Sequence, residues 1–212
     1  MATGGLMEGG LRVAGLNATM VAQLLRGLPD APSPALDPYL DAATRCFVRH
    51  GIERTTVQDV AADMGLNRGT IYRQVGTMEN QIKLLAARDI RRHMAGVPAR
   101  VVGLSGPQLV VELAAIGVED ARGHPILAKI LADEPGLVGN ILEKHIGKLR
   151  DQVVPVLASL LESGMAVGQL ARLDPTILAS WIVRIVVTLV VLEPETDLRT
   201  YLGELLLPAL TP

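Results

Sequence analysis

The chain has 212 residues, of which 49% are hydrophobic, 2% are aromatic and a single one is Cys. This length suits one or two domains, and an apolar content dominated by Leu, Val, Ile and Ala, without alternating strand patterns, predicts an all-α protein rather than a sheet. The lone Cys excludes an internal disulfide and fits the cytoplasm, while a formal net charge of −2 does not by itself favour a nucleic-acid partner.

The charges are nevertheless segregated along the chain. Residues 38–95 hold nine Arg or Lys and six Asp or Glu, whereas the remainder holds eleven and sixteen. A basic segment of this kind can meet phosphate groups even when the whole chain is slightly acidic.

Residues 1–36 are predicted to be a flexible N-terminal extension that ends in a Pro-rich linker. Residues 1–15 are rich in Gly and lack the charged start, apolar run and cleavage site of a secretory signal. We expect the extension to pack against the body or a partner, or to be disordered. The alternative is an arm that enters the minor groove, for which only Arg12 and Arg26 supply positive charge.

Within this extension, residues 17–28 can form a short amphipathic helix through Met20, Leu24 and Leu28. The stretch PDAPSPALDP, residues 29–38, contains four prolines. It predicts a semi-rigid, extended spacer.

A first helix of a compact head is predicted between Asp37 and Gly51. Asp37 can cap it, Pro38 fits its first position because the missing N–H costs nothing there, and Gly51 can end it. Its apolar residues follow at helical spacing: Leu40, Ala43, Phe47 and Val48. Phe47 is the single Phe of the chain and is expected to anchor the core. Cys46 beside it is expected to be a small buried hydrophobe, with a redox sensor as the alternative.

Residues 56–75, TVQDVAADMGLNRGTIYRQV, predict two short helices joined by a tight turn. Thr55 or Thr56 can cap the first helix, and Asp59 follows Thr56 at the spacing of a capping box. Gly65 can adopt the left-handed conformation that ends a helix. The apolar positions of this helix share one face: Val57, Val60, Ala61 and Met64.

The second of these helices is typical of a recognition helix. Leu66 is expected to turn the chain inward and Asn67 to cap the helix, while Ile71 and Val75 face the core. The outward side chains can contact base edges or phosphates, so the pair predicts a helix-turn-helix whose second helix lies in the major groove of double-stranded DNA. The candidate DNA-binding residues are Arg54, Thr55, Thr56, Asn67, Arg68, Gly69, Thr70, Tyr72 and Arg73.

A fourth helix is predicted to begin at Thr77 and to be long enough to leave the head and enter the rest of the chain. Its buried face is expected to consist of Ile82, Leu85, Ala86 and Ile90. Such a helix would connect any DNA-reading head to the body that controls it.

Residues 42–82, AATRCFVRHGIERTTVQDVAADMGLNRGTIYRQVGTMENQI, resemble the tetracycline-repressor (TetR) family of transcription regulators. The motifs Phe-x-x-x-Gly, Thr-Thr-Val and Gly-Thr-Ile-Tyr occur in the family's order and spacing. The resemblance implies an all-α homodimer in which residues 37–82 are the helix-turn-helix DNA-binding domain. It also implies that residues 83–212 are a helical domain that dimerises and often binds a small effector.

The chain departs from the family's pattern at two positions. Val75 stands where an aromatic residue is usual and is expected to fill the core less completely. Met78 stands where a Lys is usual, which removes a cation that often meets a phosphate. Arg73 or Arg54 is expected to compensate for that loss.

Five further helices are predicted in the C-terminal part. They cover residues 108–119, 125–133, 137–163, 175–192 and 197–210, and Pro155 is expected to kink or split the third. The very apolar stretch 177–192 is shorter than the roughly 20 residues that a bilayer requires and carries Arg184 at its centre. It therefore predicts a buried helix and no membrane partner.

One recognition helix reads only a few base pairs, so the DNA-binding hypothesis requires two copies of the chain. The last two helices are expected to form half of a four-helix dimer interface. The candidate interface residues are Trp181, Arg184, Leu202 and Leu206. Trp181 is nearly as well explained as an anchor of its own domain. If Arg184 is buried it needs a partner such as Glu204, Asp174 or a helix carboxyl end.

A small effector is predicted to bind among the helices that follow the head. The candidate lining residues are Met94, Val111, Ile116, Leu127, Ile130, Ile141, His145 and Leu149. Their apolar character favours a lipid, a drug or an aromatic metabolite, although each can equally belong to the core. A ligand that prefers one separation of the two heads would change operator affinity.

The predicted function is a dimeric, ligand-responsive transcription regulator that acts as a repressor. The alternatives are a regulator of the same fold without a small effector and, more remotely, a helical enzyme or lipid carrier. The four His are widely spaced, and the sequence has no P-loop, dinucleotide fingerprint or nucleophile motif. We therefore expect no metal, no cofactor and no catalysis.

Overall fold

The computed structural model describes the backbone of residues 17–25, 31–133 and 135–212. These residues form helices α1 (Ala18–Leu25), α2 (Asp37–His50), α3 (Val57–Met64), α4 (Arg68–Val75), α5 (Met78–Arg100), α6 (Gly106–Gly123), α7 (Pro125–Asp133), α8 (Pro135–Ala166), α9 (Pro175–Val191) and α10 (Leu198–Leu210). The prediction of an all-α protein is confirmed, because the described residues contain no strand beyond an isolated bridge between Asn17 and Ser105. Within the same ranges, no helix is long and apolar enough to cross a membrane.

One apolar cluster holds α2, α3, α4 and the first turns of α5 together as a head unit. Phe47 is among its largest fully buried side chains, as expected for the anchor of this core. Cys46 and Val75 are also buried, and Met78 packs against the cluster. Burial raises the pKa of the Cys46 thiol, which favours its protonated, unreactive form.

The start of α2 differs from the sequence-based expectation. A 3-10 turn, Pro34–Leu36, runs directly into the helix, so the linker is not extended up to its end. The side chain of Asp37 does not cap α2. It pairs with Arg92 of α5 at 2.7 Å, because the turn places this carboxylate over the neighbouring helix.

A second apolar cluster defines a body unit made of α1, the second half of α5, α6, α8, α9 and α10. In this unit α10 lies on α6, and α9 packs against both α6 and α8. The predicted helix 125–133 is confirmed as α7, and the other four lie within a few residues of their expected ends. Pro155 does not split α8, which runs unbroken from Pro135 to Ala166.

The helix α5 joins the two units, since Leu85 belongs to the head cluster and Val97 to the body cluster. Its predicted buried face is correct only for Leu85. The buried positions are Gln81, Leu85, Arg88 and Val97, whereas Ile82, Ala86 and Ile90 are exposed. Each residue turns a helix by about 100°, so a one-residue difference selects another face.

The helix α1 belongs to the body unit, which agrees with the expectation that this part of the extension packs against the body. It lies within the predicted range 17–28 and packs against α5 and α8. Val21 is only 4% exposed, and Met20 is partly buried against the same cluster. The side chain of Leu24, residue Leu28 and residues 1–16 lie outside the described part of the chain.

Candidate nucleic-acid interface

A capping box fixes the start of α3, as predicted. Thr56 Oγ1 accepts a hydrogen bond from the Asp59 amide at 3.3 Å, and Asp59 Oδ2 accepts from the Thr56 amide at 2.8 Å. The Thr56 hydroxyl donates to the same oxygen at 2.7 Å. These hydrogen bonds, the hydroxyl's first, hold the pKa of the Asp59 carboxyl below its ordinary value.

Thr55 is not available to DNA, which corrects its place among the candidate residues. Its side chain is buried, and its hydroxyl donates to the carbonyl oxygens of Gly51 at 2.7 Å and Cys46 at 3.2 Å. Thr55 therefore holds the turn between α2 and α3 together. Arg54, the residue before it, is exposed on that turn.

The turn between α3 and α4 uses the left-handed conformation predicted for Gly65, whose φ is 64°. The amide of Leu66 donates to the carbonyl oxygen of Ala61 at 2.9 Å, which closes the end of α3. The Leu66 side chain is exposed, contrary to the expectation that it turns inward. The tight turn leaves that side chain beside the start of α4, outside the head cluster.

The outer face of α4 carries the predicted polar side chains. Asn67 caps the helix, since its Oδ1 accepts from the amide of Thr70 at 2.8 Å and from its hydroxyl at 3.1 Å. The buried positions are Ile71 and Val75, as expected. Of the predicted contact residues on this helix, Arg68, Gly69, Tyr72 and Arg73 are exposed and Thr70 is half-buried.

Two contacts order the guanidinium groups on this face. The guanidinium carbon of Arg68 lies 5.2 Å from the ring centroid of Tyr72, within the range of a cation–π interaction. Arg73 Nη2 donates to Thr70 Oγ1 at 3.4 Å. Both guanidinium groups therefore stand on exposed α4, where they can donate to phosphate oxygens or to guanine edges.

Gly69 keeps this face flat between the two arginines. A Cβ at this position would lie 3.3 Å from Asn67 Oδ1, the oxygen that caps α4. Glycine at this position therefore avoids a close contact with the capping oxygen of Asn67. It also leaves room for the DNA backbone that lines a major groove.

Gln74 is an exposed residue of α4 that the sequence analysis did not select. Its amide can pair with the edge of adenine. It stands one helical turn after Thr70, and that spacing is the signal from which it could have been found.

Ion pairs attach α3 to α2. Arg45 Nη2 lies 2.6 Å from Asp63 Oδ2, and Arg49 Nη1 lies 3.6 Å from Asp63 Oδ1. The hydrogen bond to Asp63 raises the pKa of the Arg45 guanidinium above its ordinary value. This arrangement stabilises the orientation of the helix pair that carries α4.

A partly buried charge cluster ties the head unit to the body unit. Arg88 of α5 donates to Asp41 of α2 at 2.6 Å and to its neighbour Asp89 at 2.8 Å. His124, between α6 and α7, approaches Asp89 Oδ2 at 3.0 Å. Burial opposes the ionisation of Asp89, but the hydrogen bonds from His124 and Arg88 outweigh it and hold the pKa of Asp89 below its ordinary value.

The described residues of the predicted effector site are mostly buried, which fits a core position as well as a lining position. Val111 and Ile116 are buried in the body cluster, and Met94 packs against it. Ile130 and Leu127 lie on α7, buried and half-buried respectively. The side chains of Ile141, His145 and Leu149 lie outside the described part of the chain.

Two surface depressions on the described part of the chain lie elsewhere. One is on α10 around Arg199 and Leu207, and the other is at the end of α8 around Gly168 and Arg172. Neither is lined by a residue of the predicted effector site.

The predicted dimer residues divide into two groups. Leu202 and Leu206 are 1% and 2% exposed in the core of their own protomer, which corrects their assignment to an interface. They are buried because the face of α10 that carries them packs on α6. Trp181 is 41% exposed, and Arg184 is exposed and donates to the carbonyl oxygen of Ser180 at 2.9 Å.

The exposed apolar residues of the last two helices were only partly anticipated. On α9 and just after it they are Ile177, Trp181, Val191 and Leu192, and on α10 they are Tyr201 and Leu205. Tyr201 and Leu205 each stand one residue before the positions selected from the sequence. The leucine-rich pattern of α10 did not reveal which of its two apolar faces packs inside the protomer.

Comparison with known proteins extends the local pattern to most of the chain. A family model for bacterial regulatory proteins of the tetR family matches residues 40–80. The HTH-type transcriptional repressor AcnR of Corynebacterium glutamicum is 36% identical over 63 residues, which are 30% of this chain and 34% of that protein. AcnR of Corynebacterium diphtheriae is 30% identical over 151 residues, 58% of this chain and 73% of that protein.

Solved structures share the fold over a longer span. Salmonella enterica GusR matches with a TM-score of 0.61 at 18% identity, over 84% of this chain and 97% of that one. AibR in complex with isovaleryl coenzyme A and operator DNA matches with a TM-score of 0.54 at 18% identity, over 79% and 96%. With the helix-turn-helix of the head unit and the similarity to AcnR, these matches lead to one conclusion: the chain belongs to the tetR family of bacterial regulatory proteins.

Proposed function

We propose that the protein is a homodimeric transcriptional repressor that binds a pseudo-palindromic operator and is released by a small, largely apolar effector. The observation that carries this proposal is the outer face of α4, where Arg68 and Arg73 are exposed and ordered by Tyr72 and Thr70. Guanidinium groups held in this way suit the phosphates and guanine edges of a major groove. The repressors named AcnR support the direction of regulation.

Dimerisation is supported by the exposed apolar side chains of α9 and α10. Ile177 is 70% exposed, and Trp181 and Leu205 project from the same pair of helices. A second copy related by a twofold axis would cover them and present two heads to DNA. Half-sites separated by one or more helical turns, about 34–36 Å each, would then be read together.

An effector in the body unit is supported by the apolar character of its core and by the isovaleryl coenzyme A in the AibR complex. The second candidate is a regulator of the same fold without a small effector. It agrees with the burial of Val111 and Ile116, which are 8% and 1% exposed in the packed body cluster. A compound that binds the protein and lowers its operator affinity would decide for the first candidate.

The experiment that tests DNA recognition is selection of bound duplexes from a random pool with the full-length protein at low salt. We expect enrichment of an inverted repeat. A folded double variant Arg68→Ala/Arg73→Ala should lose this enrichment, whereas Arg150→Ala/Arg172→Ala, which removes the same charge from exposed positions of the body unit, should keep it. Failure of the wild-type protein to enrich any sequence would overturn the proposal.

A further inference from the structure

A stripe of exposed side chains runs along α9, on the side opposite to its buried residues. The members follow at alternating spacings of four and three residues: Ile177, Trp181, Arg184, Thr188 and Val191. Such spacing keeps side chains on the seam along which another helix can pack. Arg184 is the one charged member of the stripe and stands at its middle.

The helix α10 also presents a largely apolar face that is exposed in the protomer. Its members lie on the side away from α6, on which α9 packs as well: Tyr201, Glu204, Leu205 and Pro208. Glu204 is the one charged member of this face and is near the middle of α10. Its carboxylate has no ion pair or hydrogen bond within the residues that the structure describes.

The guanidinium of Arg184 is only partly used in its own protomer. Nη1 donates to the carbonyl oxygen of Ser180 at 2.9 Å and to the Ser180 hydroxyl. In the described ranges, Nε and Nη2 have no acceptor and no carboxylate lies within ion-pair distance. These N–H groups form a fork that matches a carboxylate. Water can satisfy them in the free protomer, but a second copy packed on this stripe would remove that water and leave an unfavourable buried charge.

The carboxylates on and beside these two helices differ in their availability for Arg184. Asp174 caps α9 by accepting from the amide of Ile177 at 2.8 Å, and Asp197 caps α10 in the same way. Glu193 pairs with Arg122. Glu195 follows the end of α9 and is three helical turns beyond Arg184. Glu204 is therefore the free carboxylate on a face that a second copy would cover.

We propose that Arg184 pairs with Glu204 of the partner subunit, and that this pair selects a second copy of this chain as the partner. A twofold axis forms the contact twice, because each protomer supplies one Arg184 and one Glu204. Neighbouring apolar side chains such as Trp181 and Leu205 supply affinity, whereas the charges decide which surfaces fit. The pairing rests on the homodimer of the proposed function and adds the residues that choose the partner.

Selection follows from the cost of a mismatch. A regulator of the same fold that presents apolar faces without a carboxylate opposite Arg184 would leave this guanidinium desolvated and unpaired. One that presents a cation there would repel it. The second copy of this chain meets neither obstacle.

Charge exchange in the full-length protein tests the pairing. Arg184→Glu and Glu204→Arg each place like charges opposite one another, and Arg184→Glu/Glu204→Arg restores opposite charges with the positions exchanged. An equal mixture of the two single variants restores both pairs in a heterodimer. Sedimentation velocity over a concentration series measures the dimer Kd, and pull-down with a tag on one variant detects the heterodimer. Both sites are exposed in the protomer, so the variants should fold, which circular dichroism checks.

We expect each single variant to raise the dimer Kd about 100-fold, because like charges would meet at both contacts. The double variant should return to within about tenfold of wild type, and the mixture should form heterodimers as readily. The controls are Arg172→Glu and Glu53→Arg, which reverse exposed charges outside the two faces and should dimerise like wild type.

Two results would overturn the pairing while leaving the homodimer in place. One is wild-type dimerisation by both single variants. The other is dissociation of the single variants without recovery in either the double variant or the mixture. A monomeric wild type would instead overturn the homodimer of the proposed function, and the pairing with it.

Discussion

Arg54 and Arg73 are the two residues that we predict to replace the cation that a Lys at the position of Met78 would supply. Arg54 is exposed on the turn before α3, and Arg73 is exposed on α4. Met78 itself packs against the head cluster, so the absence of a Lys at this position leaves the core closed. The number of phosphates that the head neutralises sets how steeply DNA affinity falls with salt concentration.

We expect Arg54→Ala and Arg73→Ala each to reduce the slope of log affinity against log salt by about one unit, because each removes one phosphate contact. Fluorescence anisotropy with the selected operator between low and moderate salt measures the slope. Arg150→Ala, which removes an exposed arginine of α8, is the matched control and should leave the slope unchanged. Wild-type slopes for both head variants would show that other groups meet the phosphates.

The capping box of α3 gives a second prediction at this scale, in the pH dependence of stability. Hydrogen bonds from Thr56 hold the pKa of Asp59 below its unfolded value, so the folded state favours the ionised carboxylate. Its stabilisation is present above the unfolded pKa, about 3.9, and is lost as the pH falls through the lower folded pKa. Urea unfolding between pH 7 and pH 2 measures this effect. The free energy of unfolding should fall less on acidification in Asp59→Asn than in the wild type, because the variant has no carboxylate to protonate. Asp151→Asn, at an exposed residue of α8, should show the wild-type fall.

At the scale of the elements, α5 carries the connection between head and body. Arg88 is 5% exposed and faces three carboxylates, those of Asp37, Asp41 and Asp89. Arg92, an exposed residue of α5, also pairs with Asp37 of α2. A guanidinium held among carboxylates from two helices fixes the angle between α2 and α5. Removing it leaves Asp41 without this partner, while Asp37 keeps its ion pair with Arg92.

We expect Arg88→Met to lower the free energy of unfolding by about 2 kcal/mol, less than for a fully buried pair because Asp41 is 52% exposed. Arg92→Met should lower it by less than about 1 kcal/mol, since its ion pair is largely solvated. Urea denaturation at neutral pH measures both values. Equal losses in the two variants would contradict a special role for Arg88.

At the scale of the whole molecule, the exposed faces of α9 and α10 leave a protomer with unburied apolar surface. Trp181 and Leu205 lie on these faces, whereas Leu202 and Leu206 are already enclosed by the packing of α10 on α6. A substitution on the exposed faces should therefore change assembly. A substitution inside should change the stability of the fold.

We expect Trp181→Arg to convert the proposed dimer into a folded monomer, because it places a charge where we propose that a second copy packs. Val102→Arg, at a residue that is 72% exposed after α5, should remain dimeric. Sedimentation velocity measures the two states. A dimeric Trp181→Arg protein, or a monomeric wild type, would contradict the proposal that this face is the dimer interface.

Local spacing in the sequence determined both ends of α3 and the start of α4. The capping box of Thr56 and Asp59, the left-handed Gly65 and the Asn67 cap involve residues within a few positions of one another, so their geometry follows from neighbours in the chain. The motifs that indicated the family, of which Gly-Thr-Ile-Tyr begins at Gly69, are likewise short segments of neighbouring residues.

Only the tertiary structure decided which faces are used. Thr55 is buried beneath α2, Ile82 is exposed on α5, and the leucines of α10 divide between core and surface. The docking of Val21 in the body unit belongs to the same class, because it joins residues more than a hundred positions apart. An apolar helix with two apolar faces satisfies the same sequence pattern in either orientation, and the surface that packs against it comes from distant parts of the chain.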